Sequence, residues 1–100
     1  MKINRWTAEI NPDFGIIENL FSTEGLECKE VHVPSGAKIS NQRTTMTEVI
    51  QLVSGELIFN LSGTQFALRS GDRLEMAANT MYSYSNMKQD ESLFLTAYKL

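Results

Sequence analysis

The sequence predicts an all-β domain preceded by a short helical segment, and three observations carry that reading. Ser54-Gly55, Ser62-Gly63 and Ser70-Gly71 place turn dipeptides eight residues apart. Between them lie strand-length runs rich in β-branched and aromatic residues. Only the N-terminal third carries apolar residues at helical spacing. Short strands with turns at this interval are the pattern of a sandwich or barrel.

Taken in order, the chain opens with "MKINRWTAEINPD", which has one early lysine but no apolar core of signal-peptide length. No run of 18 apolar residues follows, so a cytoplasmic protein without membrane attachment is expected. Asn11 and Pro12 are read as the N-cap and first helical residue of a helix carrying Phe14, Ile17, Leu20 and Phe21, with Gly25 just past its end. Gly15 weakens that helix by about 1 kcal/mol relative to alanine. "LECKEVHV" reads as a strand ended by Pro34-Ser35-Gly36. Its Cys28, the single cysteine, excludes an internal disulfide and a thiolate cluster, and is expected to be a small core residue. Further strands are expected over 49–53, 57–61, 65–68 and 93–98. On the run after Gly71, Leu74 and Met76 should face inward, with Arg73 and Glu75 as solvated charges outside. The chain is read as one domain, 1–27 an arm with the helix and 28–100 the barrel.

Composition limits the partners. One hundred residues, 42% hydrophobic, suffice to bury roughly two thirds of the unfolded surface in one core. The net charge is −3 and the nine basic residues are scattered from Lys2 to Lys99. Phosphate backbones and anionic lipids require a basic stripe, so neither nucleic acid nor a membrane is an expected partner.

Two spacings carry a resemblance. Gly36 is followed by five residues, Gln42, one residue, Thr44, three residues, Glu48, six residues and Gly55; fifteen residues on, Gly71 is followed by five residues, Ala77, one residue, Asn79, two residues, Tyr82, three residues and Asn86. In spacing these are similar to the two motifs of the cupin superfamily. The resemblance covers about Val31 to Leu100 and implies a double-stranded β-helix, a jelly-roll barrel. The family has histidines at the Gln42, Thr44 and Tyr82 positions, and proline and glycine at Ala77 and Asn79. The chain thus keeps the glycines of the turns and departs at the metal ligands. Asn79 is a reasonable stand-in for glycine, because asparagine tolerates the left-handed region.

The implied ligand positions offer one carboxylate, two neutral oxygens and a phenol, where zinc, iron, nickel and copper sites draw on imidazole. A tightly bound metal or other cofactor is therefore not expected. By strand alternation Gln42, Thr44 and Glu48 point inward with Ile50 and Leu52, and Tyr82 and Tyr84 face them. Donors from Gln42, Thr44 and Tyr82 are expected to converge on Glu48, since an inward carboxylate requires hydrogen bonds. Arg43, between two inward residues, should point out.

Three functions remain open. A metal-independent module would hold a small organic molecule in the barrel, with Gln42, Thr44, Glu48, Met76, Tyr82 and Tyr84 as ligand-binding residues. An isomerase, epimerase or cyclase would use Glu48 and Tyr82 as catalytic acid and base, resembling the sugar-nucleotide branch of the family in its use of tyrosine, though that branch also uses a histidine; a weakly metal-dependent enzyme is a variant of this reading. A structural subunit would fill the barrel with its own side chains. His32, the only histidine, lies outside both motifs and is read as a partly packed strand residue. Met46, Met76, Met81 and Met87 are read first as core, second as an adaptable pocket. Trp6 and the apolar helix residues lead to the expectation of a homodimer; the plain alternative is Trp6 lying on its own barrel.

Overall fold

In the computed structural model, which describes residues 1–100, the sequence forms nine strands and one helix. In chain order these are β1 (Lys2–Asn4), α1 (Phe14–Thr23), β2 (Lys29–Val33), β3 (Lys38–Arg43), β4 (Thr47–Ser54), β5 (Glu56–Leu61), β6 (Thr64–Arg69), β7 (Arg73–Met76), β8 (Met81–Ser85) and β9 (Ser92–Lys99). All strand pairs are antiparallel. They make a five-stranded sheet in the order β1-β7-β4-β9-β2 and a four-stranded sheet in the order β3-β8-β5-β6.

Alternation along each strand produces two cores. The inner faces of the two sheets enclose Val33, Ile50, Leu52, Leu57, Phe59, Leu61, Leu68, Leu74, Met76 and Phe94. The outer face of the five-stranded sheet, through Val49, Val53, Leu95 and Ala97, receives Ile17 and Phe21 from α1. β4 is consequently buried on both faces, and its run "EVIQLV" is continuous rather than alternating in burial. Of the apolar helix residues that motivated the expectation of a homodimer, Ile17 and Phe21 are buried within the chain, Phe14 is partly buried and Leu20 stays exposed. No helix is long and apolar enough to cross a membrane.

The helix begins two residues later than expected. Its N-cap is Asp13, whose Oδ1 accepts a hydrogen bond from the Ile16 backbone N–H at 2.9 Å, leaving Pro12 outside. Gly25, at φ +72°, follows the C-terminal turn. The arm before it is also more structured than expected. β1 pairs with β7, and Asp72 accepts hydrogen bonds from the Trp6 backbone N–H at 3.0 Å, the Arg69 backbone N–H at 3.0 Å and Arg5 Nη1 at 2.7 Å. The expected division at residue 27 separates parts that pair in one sheet. Trp6 lies on its own barrel, over Gly71. A Cβ at Gly71 would come within 2.6 Å of Trp6 Cβ, and the backbone there is at φ +91°, so glycine is required twice over. Asn79 does take the left-handed conformation expected of a glycine substitute, at φ +66°.

Several placements differ from expectation. Arg73 is largely covered rather than solvated, ion-paired with Glu24 at 2.7 Å, bonded to Gln51 Oε1 at 3.1 Å and stacked 5.0 Å over the Phe21 ring. This network clamps α1 to the sheet. Glu75 pairs with Lys99 at 2.8 Å. Of the four methionines read as core, only Met76 is buried; Met46, Met81 and Met87 are exposed on loops and the outer sheet face. His32 is exposed beside Glu91. Cys28 sits just before β2 and is half-buried, packed on the α1 side; burial, then the nearby Glu18, pushes its thiol up from its ordinary value, which keeps it protonated.

Candidate functional site

Glu48 opens β4 at one end of the barrel, with Ile50 and Leu52 following it along the inner face. Its strand partners are Met76 on β7 and Tyr98 on β9, and the neighbouring inward residue of β9 is Thr96, opposite Ile50. Across the lumen, Tyr82 and Tyr84 project from β8, with Gln42 of β3 paired to Tyr82. The motif residues Gln42, Glu48, Met76, Tyr82 and Tyr84 are thus brought to one end of one lumen, as strand alternation predicts.

Of the three donors expected at Glu48, only Tyr82 reaches it. Glu48 is 5% exposed, and its shortest hydrogen bond comes from an unexpected residue, Thr96, whose Oγ1 donates to Oε2 at 2.6 Å. Gln42 turns its amide to the Ser40 carbonyl at 3.1 Å instead. The cause is local: the register between β3 and β8 shifts between Ile39 and Gln42, where Asn41 stands at φ +57°. Thr44 is buried, but its hydroxyl donates to the Met46 carbonyl at 2.5 Å, the short-range bond that threonine makes when a backbone acceptor lies two residues away. Neither residue converges on Glu48, which corrects the expectation for both. Met76 is fully buried in the core and packs beneath the site rather than lining an open pocket.

The tyrosines complete the surroundings. Phe59 stacks on Tyr84 at 5.1 Å and on Tyr82 at 6.4 Å between ring centroids, and Phe94 meets Tyr84 edge-on at 5.7 Å. These rings and the aliphatic core fill the middle of the barrel. None of the surface concavities is lined by Glu48, so the deep cavity expected from the sequence does not open at this carboxylate. Tyr82 and Tyr84 stay half-buried there. Burial first, then the Glu48 carboxylate, raises the Tyr82 phenol far above its ordinary value, with Tyr84 and Tyr98 adding to the effect. Tyr84 is raised by the same two causes in the same order. Both phenols hold their protons at neutral pH, and the Tyr82 hydroxyl faces Glu48 as a hydrogen-bond partner.

Thr96 and Tyr98 were missed by the sequence reading. Their parity with Phe94 along β9 was visible, but their position beside Glu48 follows from the pairing of β4 with β9.

The donor set does not fit a metal. Of the positions implied by the resemblance, Gln42 and Thr44 are turned to their own backbone and Tyr82 is held as a phenol, which leaves one carboxylate already engaged by Thr96.

Two antiparallel sheets enclosing one lumen, with the motif residues at one end, recur in solved structures. A cupin superfamily protein of Desulfitobacterium hafniense matches 99% of the chain over 76% of its own length, at a TM-score of 0.66 and 9% identity. The fold is that of the cupins. A DMSP lyase matches at a TM-score of 0.69 and 20% identity, over 75% of the chain; the chain spans only 38% of that protein. The cupin domain of an XRE family transcriptional regulator of Enterobacter cloacae matches at 0.64 and 17% identity, over 79% of the chain and 85% of the domain. By sequence the chain matches no family model and no curated protein. These cupins span an enzyme and a regulator, so the shared fold leaves the chemistry to the residues at the barrel end.

Proposed function

We propose that this cupin-fold protein binds a small organic molecule at the Glu48 end of its barrel, without a tightly bound metal. One observation carries the reading: Glu48 is a nearly buried carboxylate met only by neutral hydroxyls, those of Thr96 and Tyr82, and by no counter-ion, in a lumen otherwise lined with rings and aliphatic side chains. Such a group is costly to bury alone, and a bound donor at the barrel end would complete its hydrogen bonding. Half-buried Tyr82 and Tyr84 supply flat apolar walls and hydroxyl donors for the same molecule.

Binding is favoured over acid–base catalysis by the state of Tyr82. A general acid or base works best with a pKa near the operating pH, whereas burial and the adjacent carboxylate drive this phenol the other way. The stacking of Phe59, Tyr82 and Tyr84 supports a second reading, a structural domain whose lumen is filled by its own side chains. A small-molecule fragment library, followed through the ring resonances of Tyr82 and Tyr84, separates the two. Fragments that shift these rings in wild type and not in Glu48→Gln support binding; a protein whose rings respond to no fragment is the structural domain.

A further inference from the structure

Two carboxylates of this protein are buried to the same degree, and their surroundings differ. Asp72 and Glu48 are each 5% exposed. Asp72 is neutralised by the Arg5 guanidinium at 2.7 Å and receives two backbone N–H bonds. Glu48 forms no ion pair; the hydroxyls that reach it, Thr96 at 2.6 Å and the Tyr82 phenol, are both neutral. The ion pairs made by Glu24, Glu30, Glu56, Glu75 and Glu91 all sit at more exposed carboxylates.

Aromatic side chains stand around Glu48. Tyr82 and Tyr84 feel its charge, and Tyr98 is its strand partner, 42% exposed at the barrel rim. Ring faces are electronegative, and a cation beside them is attracted by the ring quadrupole. A buried charge with no counter-ion, set among aromatic rings, is complementary to positive charge from outside. A metal ion would need several oxygen or nitrogen donors, which the site lacks, whereas an alkylammonium needs one carboxylate and apolar walls.

We infer that the ligand is a small organic cation of the alkylammonium class, its nitrogen against the free side of Glu48 and its alkyl groups against the rings of Tyr82 and Tyr98. This rests on the reading that the barrel end binds a small molecule, and adds the charge of that molecule. Thr96 acts as a positioning residue by holding Oε2 at 2.6 Å.

The test uses wild-type protein and two probes of equal shape, choline and its uncharged isostere 3,3-dimethylbutan-1-ol, with butyrate as an anionic control. Binding is followed by the ring resonances of Tyr82, Tyr84 and Tyr98. Choline is expected to shift them saturably, with an affinity at least tenfold above the isostere, and butyrate not at all. Glu48→Gln should abolish the difference between choline and the isostere, and Thr96→Val should weaken choline binding severalfold. Equal binding of choline and the isostere, or preferential binding of butyrate, overturns the cation class while leaving a small-molecule site in place. Failure of all three probes, together with failure of the fragment library, overturns both inferences; failure of the three while neutral fragments bind overturns this one alone. Because choline and its isostere are compared on the unmutated protein, the charge preference is measured even where a variant fails to fold.

Discussion

Thr96→Val removes the 2.6 Å hydrogen-bond donor to a buried carboxylate while changing little else. Valine has threonine's shape and β-branching, so the central strand β9 keeps its backbone preference. Both partners are nearly inaccessible and the bond is 2.6 Å long. A hydrogen bond to a charged group contributes about 1.5–3 kcal/mol, so a loss of about 2 kcal/mol is expected at neutral pH. For a domain of 100 residues this corresponds to a fall in melting temperature of about 8–16 °C. In a Glu48→Gln background the hydroxyl faces a neutral amide oxygen, and the same substitution should cost only about 1 kcal/mol. The single change Glu48→Gln should itself lie within about 1 kcal/mol of wild type, because it removes an uncompensated buried charge. Urea unfolding of the four proteins of this cycle measures the coupling, expected near 1 kcal/mol. A Thr96→Val cost below about 0.5 kcal/mol, or the same cost in both backgrounds, would show that the hydroxyl does not hold the carboxylate.

Further outcomes follow from other contacts. Gly71→Ala should destabilise by about 2 kcal/mol or more, since a Cβ there meets Trp6 and the backbone is left-handed; a red-shifted Trp6 fluorescence in the folded variant is the accompanying sign, and unchanged emission would show that the ring was not displaced. Burial raises the Asp72 carboxyl, but the backbone N–H groups of Arg69 and Trp6 and the Arg5 guanidinium outweigh it and hold the group below its ordinary 3.8. Its contribution is therefore present above that value and lost as pH falls through the lower folded value. The stability advantage of wild type over Asp72→Asn should shrink below about pH 4, and an advantage that grows on acidification would contradict the assignment. Dialysis against a chelator should leave the melting temperature within about 1 °C, a result that stoichiometric metal would reverse. Arg73→Met keeps a long stem over Phe21 but loses Glu24 and Gln51, and should destabilise by about 1–2 kcal/mol with early loss of helical signal on heating.

What the sequence determined by itself was whatever depends on short-range patterning. Turn dipeptides and alternation located β2, β4, β5, β6, β7 and β9 and the inward parity of Leu74 and Met76, while the motif spacings added that of Glu48, Ile50, Leu52, Tyr82 and Tyr84. These are properties of a residue and its near neighbours, and the two-residue period carries them along a strand. The helix start was read at Asn11, and the bond from Ile16 N–H places the cap at Asp13 instead. The three residues of β1 carry no pattern of their own and are a strand only because β7 offers them an edge. Convergence of polar groups was beyond the sequence for the same reason. Gln42 and Thr44 have the right parity and still turn to their own backbone, because a bulge and a carbonyl two residues away compete better than a distant carboxylate. Thr96 lies 48 residues from Glu48 and meets it only through the register of β4 on β9. Parity says which way a side chain points; only the register of paired strands decides what it finds there.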